Sequence, residues 1–333
     1  GDKSRRVAKI AERIADSLGA NKSHAHRAAL LSKCDLMTSM VYEFPELQGI
    51  MGRYYATHDG EPADVAIALD EQYMPRFAGD ELPASMTGQI LALADKLDTL
   101  LGIFAIGQKP SGEKDPFALR RAALGVLRIL IERGLALDLR ELLGYAADAF
   151  ADVANMHAPA VAAVDETLEF MLERLRVYYQ NQQVTSDVYV AVAELKPTVP
   201  VDFDRRMLAV NRFRKLPEAD SLAAANKRIS NILKKVEGKL PQTVDVKLLH
   251  EAAEKNLYQA MQAQAAIAGP LFDEGDYQAA LLQLAGLRQV VDEFFDKVMV
   301  MAEDEALKNN RLALLNGLRN LFLRAADLSR LQS

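Results

Sequence analysis

The side chains of this sequence best suited to metal binding or catalysis are His24, His26, Cys34, the doublet His58-Asp59, and the carboxylates Asp95 and Asp98. Imidazole and carboxylate are favoured ligands of divalent ions, so His58-Asp59 invites a metal reading. Its neighbours redirect it. In His58-Asp59-Gly60-Glu61-Pro62 the glycine suits an unusual backbone turn and the proline starts a helix, so the doublet reads as part of a turn. His24 and His26 point to different sides of a helix or loop, which makes a poor chelate and a polar surface pair. Asp95 and Asp98 lie three apart on one helix and share a face, so they can serve one site or simply meet Lys96 and solvent. Catalysis by that pair needs a third group from elsewhere in the chain. Cys34 falls on the apolar stripe of its helix and is expected to be a buried small hydrophobe rather than a nucleophile.

A second kind of chemistry is written in charge. The whole chain is acidic, with 46 Asp and Glu against 40 Lys and Arg and a net charge of −6. Residues 201–240 reverse that balance: Arg205, Arg206, Arg212, Arg214, Lys215, Lys227, Arg228, Lys234, Lys235 and Lys239 face only Asp202, Asp204, Glu218, Asp220 and Glu237. Read as a helix, Lys227, Asn231, Lys234 and Lys235 gather on one polar face, opposite Leu222, Ala225, Ile229 and Leu233. Phosphate oxygens suit such a face, as does plain solvent, and the local field rather than the total charge decides the matter. Nucleotide binding through a glycine-rich loop is unsupported, because the sequence has neither GxxxxGK[ST] nor GxGxxG after a strand.

The elements that must position these residues read as helices throughout. At 333 residues and 50% hydrophobic content the chain is long enough for two domains, each with its own core. A single cysteine excludes a disulfide framework and a thiolate zinc cluster and fits a reducing compartment, and no apolar run approaches the roughly 20 residues that span a bilayer. A cytoplasmic protein is the expectation, and Gly1 followed at once by a helical pattern suggests a piece of a longer chain. Val7, Ile10, Ile14 and Leu18 give a first helix closed by Gly19. Ser23 is a candidate cap for a second, whose stripe runs through Leu30, Leu31, Cys34, Met37, Met40 and Val41 to Pro45. Pro62 starts a helix with Val65, Leu69 and Tyr73, and Ile90, Ala94, Leu97 and Leu101 make another face. Asp115-Pro116 predicts a helix from Phe117 to Arg133, ending near Gly134. Val188 to Val192 is the best strand candidate, but its alternation is imperfect and its neighbours are helical. Lys196-Pro197-Thr198-Val199-Pro200 is the best linker, which divides the chain into 1–196 and 197–333. Beyond it, long helices are predicted over 202–213, 220–236, 246–268, 277–302 and 311–331. No repeat recurs at a fixed period.

Several longer strings carry a resemblance. Glu43-Phe44-Pro45-Glu46-Leu47-Gln48-Gly49, Ala94-Asp95-Lys96-Leu97-Asp98-Thr99-Leu100 and Lys114-Asp115-Pro116-Phe117-Ala118-Leu119-Arg120-Arg121 resemble the β subunit of bacterial heterotetrameric glycyl-tRNA synthetase. Ala224-Ala225-Asn226-Lys227-Arg228-Ile229-Ser230-Asn231-Ile232-Leu233, the run Phe294 to Asp304 and Asn310 to Leu315 look like that subunit's DALR-type anticodon-binding domain. The resemblance covers nearly the whole chain and implies the C-terminal half of the subunit. It implies an all-α fold, with an HD-like helical bundle over 1–196 and a DALR-type bundle over 197–333. It also implies partners, tRNA-Gly and the α subunit of a heterotetramer. The α subunit would hold the aminoacylation site and use ATP, Mg²⁺ and glycine, while this stretch would hold no catalytic residue and no cofactor.

Hydrolases of the HD fold hold a metal with a His, a His-Asp doublet and a distant Asp. Here Ala28-Ala29-Leu30-Leu31 leads into Ser32-Lys33-Cys34-Asp35, without histidine. Asp95 matches the distant Asp and Asp35 part of the doublet, so the resemblance implies degenerate positions, too few ligands for a tight metal site, and a lost phosphohydrolase activity. For tRNA the candidates are Arg212, Lys227, Arg228, Asn231, Lys234 and Arg311, with Arg120 and Arg121, and also Arg53 and Lys114, in the first half. Tyr258 and Phe272 are candidate stacking rings, or core. The alternatives to a tRNA-binding portion of the ligase are a divergent metal-dependent HD phosphohydrolase and a helical protein-interaction scaffold.

Overall fold

The computed structural model describes every residue except Glu113, Glu237, Gln332 and Ser333, so the Glu237 of the basic segment lies outside the described residues. The fold is all-α. The described residues form helices and turns, with one isolated bridge between Ser111 and Lys114 and no strand. They divide into two compact units, 1–178 with 198–201, and 179–197 with 202–333.

The first unit holds α1 (Asp2–Ser17), α2 (Lys22–Leu31), α3 (Ser39–Glu43), α4 (Ile50–His58), α5 (Ala63–Glu71), α6 (Met86–Ala105), α7 (Leu119–Glu132), α8 (Leu139–Ala149) and most of α9 (His157–Gln180). Its axis is α6, where Ile90, Leu91, Leu93, Leu97, Leu100 and Leu101 are all sealed from solvent; α1, α2, α5, α7 and α8 pack around it. A helix apolar on so many sides has to sit at the centre of a bundle. Ser85 starts α6 by accepting the Gly88 amide at 3.0 Å. Asn21, rather than Ser23, caps α2 by accepting the His24 amide at 3.1 Å.

Two boundaries differ from those the periodicity predicts. The stripe expected to run from Leu30 to Val41 is cut at Leu31, because Gln72 takes the Ser32 carbonyl at 2.7 Å and the buried Asp35 carboxylate turns to the Gly49 amide at 2.7 Å. Cys34 is therefore exposed rather than buried, and Met37 is 88% exposed, while Val41 stays in the core. The helix expected from Phe117 begins at Leu119: Ala118 is left-handed (φ 54°), and the Asp115 carboxylate reaches past it to the amides of Leu119 (2.8 Å) and Arg120 (2.9 Å).

The second unit holds α10 (Ser186–Ala193), α11 (Pro200–Phe213, from Asp202 onward), α12 (Ala219–Leu233), α13 (Ala252–Asp273), α14 (Tyr277–Ala285), α15 (Arg288–Lys297), α16 (Glu305–Leu323) and a closing 3-10 turn, Leu328–Arg330. The strand candidate at Val188 lies inside α10. The proline-rich linker is non-helical until Pro200, yet α10 belongs with the second unit, because the Asp327 amide donates to the Ala191 carbonyl at 2.8 Å and Arg330 pairs with Glu194 at 2.9 Å. Residues 198–201 belong with the first unit, where the Leu139 amide bonds the Thr198 carbonyl at 2.9 Å. The seam thus falls at 178/179, with a return near 201, rather than once at 196/197. A capping box between Glu251 and Glu254 starts α13 at Ala252, later than the expected 246. The helix expected over 277–302 is interrupted at Gly286-Leu287, where Leu287 turns fully into the core.

Candidate nucleic-acid interface

Helix α12 is the element on which the sequence-predicted residues converge. Leu222, Ala225, Ile229 and Leu233 are buried, and that fixes the opposite face of the helix toward solvent. Lys227, Arg228 and Asn231 stand on that face and line a cleft of about 700 Å³ with Ala223, Ala224, Ile232, Lys235 and Leu331. Lys227, Ser329, Arg330 and Leu331 also line an adjoining cleft of about 570 Å³, shared with Thr185, Asp187 and Arg214, so Lys227 stands on the ridge between the two. Lys234 is exposed at the C-terminal end of α12, beside rather than inside the first cleft.

Several cations of the second unit are committed elsewhere. Arg206 is held by Asp202 at 2.7 Å and Tyr277 at 2.7 Å, Arg214 by Asp187 at 2.9 Å, and Arg330 by Glu194 at 2.9 Å. Burial pushes the Tyr277 hydroxyl up to about 12, reinforced by the Asp202 carboxylate it donates to. By contrast, Lys227, Arg228, Lys234 and Lys235 form no ion pair among the described residues. Four uncompensated charges on one exposed helix face create a positive potential that an anion can neutralise. This local field is opposite in sign to the net charge of the chain.

The remaining candidates are placed differently. Arg311 is buried inside α16: its guanidinium bonds Glu254 at 2.6 Å, Glu251 at 3.1 Å and the Met299 carbonyl at 2.7 Å. Its assignment to RNA contact is therefore corrected to an internal brace, since a guanidinium with three internal acceptors and 7% side-chain exposure has no face for phosphate. Arg212 is exposed at the end of α11 and donates to the Gln278 side chain. Phe272 is buried beside Tyr277, so its role is core; Tyr258 is half-buried on α13. In the first unit Arg120 donates to the Gly112 carbonyl at 2.6 Å and Arg121 to the Arg76 carbonyl at 3.1 Å; Arg121 lines a separate cleft with Arg76, Tyr73 and Lys96. Arg53 and Lys114 are exposed.

The degenerate metal positions are occupied by internal cations and amides. Burial would raise the Asp95 carboxyl, but Lys33, Lys3 and Lys96 together hold it below the ordinary carboxylate range; Lys3 lies at 3.2 Å and Lys33 at 3.5 Å. Asp98 takes a two-pronged bond from Arg6 at 2.7 and 3.1 Å, and Lys3, also on α1, reaches both carboxylates, so the ion pairs of this pair come from α1 and Lys33 rather than from Lys96. Lys96 instead donates to the carbonyls of Gln72 (3.1 Å) and Met74 (2.8 Å). With Asp35 on the Gly49 amide and Asp95 beside ammonium groups, these positions do not fit a divalent ion. Among the described residues no group of three or more His, Cys, Asp and Glu side chains is gathered to hold a metal. His24 pairs with Asp64 at 2.7 Å and His26 with Glu12 at 3.0 Å, two separate contacts as their spacing requires.

Residues 1–194 match the family model described as glycyl-tRNA synthetase beta subunit, and residues 222–328, which include most of α12 and the α12 residues of its cleft, match the DALR anticodon binding domain. The chain belongs to the glycyl-tRNA synthetase beta subunit family. Among relatives named glycine–tRNA ligase beta subunit, that of Glaesserella parasuis is 56% identical over 332 residues, covering 99% of this chain and 48% of the relative. That of Aeromonas salmonicida is 57% identical over 331 residues, covering 99% and 47%. That of Marinobacter nauticus is 56% identical over 329 residues, covering 98% and 47%. The chain spans about half the length of the curated relatives it matches. Around the two clefts sequence reasoning found α12 but missed Ser329, Arg330 and Leu331, which follow directly on the second matched region. Their signal was the Asx turn in which Asp327 accepts the Ser329 amide at 3.1 Å and seats the 3-10 turn beside the cleft.

Proposed function

We propose that this chain is a tRNA-binding portion of glycine–tRNA ligase that recognises the anticodon end of tRNA-Gly and orients the RNA for aminoacylation on the α subunit of a heterotetramer. The observation that carries the reading is the α12 face, where Lys227, Arg228, Lys234 and Lys235 stand without carboxylate partners among the described residues, inside the region matched as an anticodon binding domain. Cations of this kind neutralise phosphates and set register, while base edges are read by groups that donate and accept, such as Asn231. ATP and Mg²⁺ serve the aminoacylation chemistry of the α subunit, and the contribution of this chain is positioning, with the cytoplasm as its compartment. A phosphohydrolase reading would need the divalent ion that Asp35 and Asp95 are not free to hold.

The test is binding of this chain to tRNA-Gly and to an anticodon-swapped variant across a salt series, with Lys227→Ala alongside. The expected result is tighter binding of tRNA-Gly, affinity falling with salt, and a slope reduced by about one in Lys227→Ala. Absence of binding to either RNA at low salt refutes the reading.

A further inference from the structure

Among the described residues, three arginines of the second unit lie over aromatic rings. Arg206 sits 4.2 Å from the Tyr277 centroid and Arg324 4.7 Å from that of Phe272. Both also bond a carboxylate, Asp202 and Asp273 respectively, and Arg206 gives its other donors to Tyr277 and the carbonyls of Arg324 and Ala325. Arg228 breaks the pattern. Its guanidinium carbon lies 4.3 Å from the Phe295 centroid, yet it has no acid partner among the described residues, is exposed, and lines the α12 cleft. Phe295 is itself braced edge-on by the fully buried Phe294, with centroids 5.6 Å apart at 78°. The result is a planar cation held over a ring at the lining of an open cleft.

We propose that Arg228, backed by Phe295, is a stacking shelf for one unpaired base of the RNA, and that Asn231, three residues on along the same face, reads that base's edge. This rests on the RNA-binding reading of the α12 cleft and adds a division of labour to it. Lysines 227, 234 and 235 supply charge, which a phosphate uses from any direction. A guanidinium also supplies a plane, and unstacked bases are held on aromatic and arginine planes. Pinning the plane beforehand removes the side-chain ordering that a free arginine would undergo on binding. Stacking tolerates every base, so selectivity at this position falls to the amide of Asn231, which can both donate and accept.

The experiment uses the anticodon stem-loop of tRNA-Gly carrying 2-aminopurine at each anticodon position in turn, whose fluorescence is quenched on stacking. The proteins compared are the unaltered chain, Arg228→Lys, Phe295→Leu and Lys227→Ala. Arg228→Lys keeps the charge and loses the plane, so the salt slope should stay and affinity should fall about tenfold, the order carried by one stacked base. Quenching should be lost at one position, and Phe295→Leu should show the same loss more weakly. Lys227→Ala should flatten the slope and keep the quenching. If the unaltered chain binds and Lys227→Ala flattens its slope, but Arg228→Lys retains full affinity and quenching, the shelf is wrong while RNA binding stands. A lower melting temperature for Arg228→Lys with quenching intact assigns the Arg228–Phe295 contact to packing alone and overturns the proposal. If the unaltered chain binds no stem-loop at low salt, the underlying reading falls and the shelf with it.

Discussion

Removing Arg311 should cost folding stability and leave RNA binding alone. The guanidinium is 7% exposed and bonds a Glu254 carboxylate that is fully buried. Glu254 in turn accepts the amides of His250 and Glu251, both at 2.8 Å, as the returning arm of the capping box that starts α13. Arg311→Met strands that carboxylate without a counter-charge, a defect that costs about 3–5 kcal/mol when one partner of a buried pair is taken away. For a unit of about 150 residues each kcal/mol moves the melting temperature by roughly 2–4 °C, so a drop of about 6–20 °C is expected. Adding Glu254→Gln removes the orphaned charge while keeping an oxygen for the two amides. The double variant should therefore recover most of the loss, short by about 1 kcal/mol for the Met299 carbonyl that loses its donor. Thermal melts of the two single variants and the double variant give the coupling directly. A melting temperature within about 2 °C of the unaltered chain, together with a reduced RNA salt slope, would refute the brace and return Arg311 to the RNA surface.

Burial lowers the Lys96 ammonium to about 8 in the folded state from an ordinary 10.5, so between those values the unfolded chain binds the extra proton and stability rises with pH. Part of the side chain lines an open cleft, and the expected gain over Lys96→Met is about 1–2 kcal/mol between pH 7.5 and 9.5; urea melts that give the same difference at both pH values would exclude it. Burial also raises the Asp204 carboxyl above its ordinary value, against the Tyr179 hydroxyl that donates to it at 2.8 Å. Its charged form thus weakens the fold as pH rises through the folded value, so Asp204→Asn should melt higher at pH 7 and lose that advantage on acidification; a lower melting temperature at pH 7 contradicts the sign. Gly88→Ala should cost about 1–3 kcal/mol, because a Cβ there would overlap the Glu71 carboxylate, which accepts the Ala84 and Ser85 amides ahead of α6; an unchanged urea midpoint would show that Glu71 is free to move.

What was legible in the sequence follows from which interactions are local. Helix faces are local, so the buried face of α12 at Leu222, Ala225, Ile229 and Leu233 was predictable, and with it the outward position of Lys227 and Asn231. The helix stop at Leu31 was not, because it depends on Gln72 and Gly49 bonding Ser32 and Asp35 from far along the chain. The same distinction separates the candidate arginines. Arg228 and Arg311 are identical in type, both on helices within the matched anticodon-binding region, and no periodicity tells them apart. They diverge through partners distant in sequence, Phe295 for one and Glu254 for the other. An aromatic ring leaves the guanidinium's donors available, whereas a buried carboxylate consumes them. The charge of a basic segment is thus written in its composition, but its availability is written in tertiary contacts. An RNA surface on this fold is best sought where a cation is oriented by something that cannot accept its hydrogen bonds.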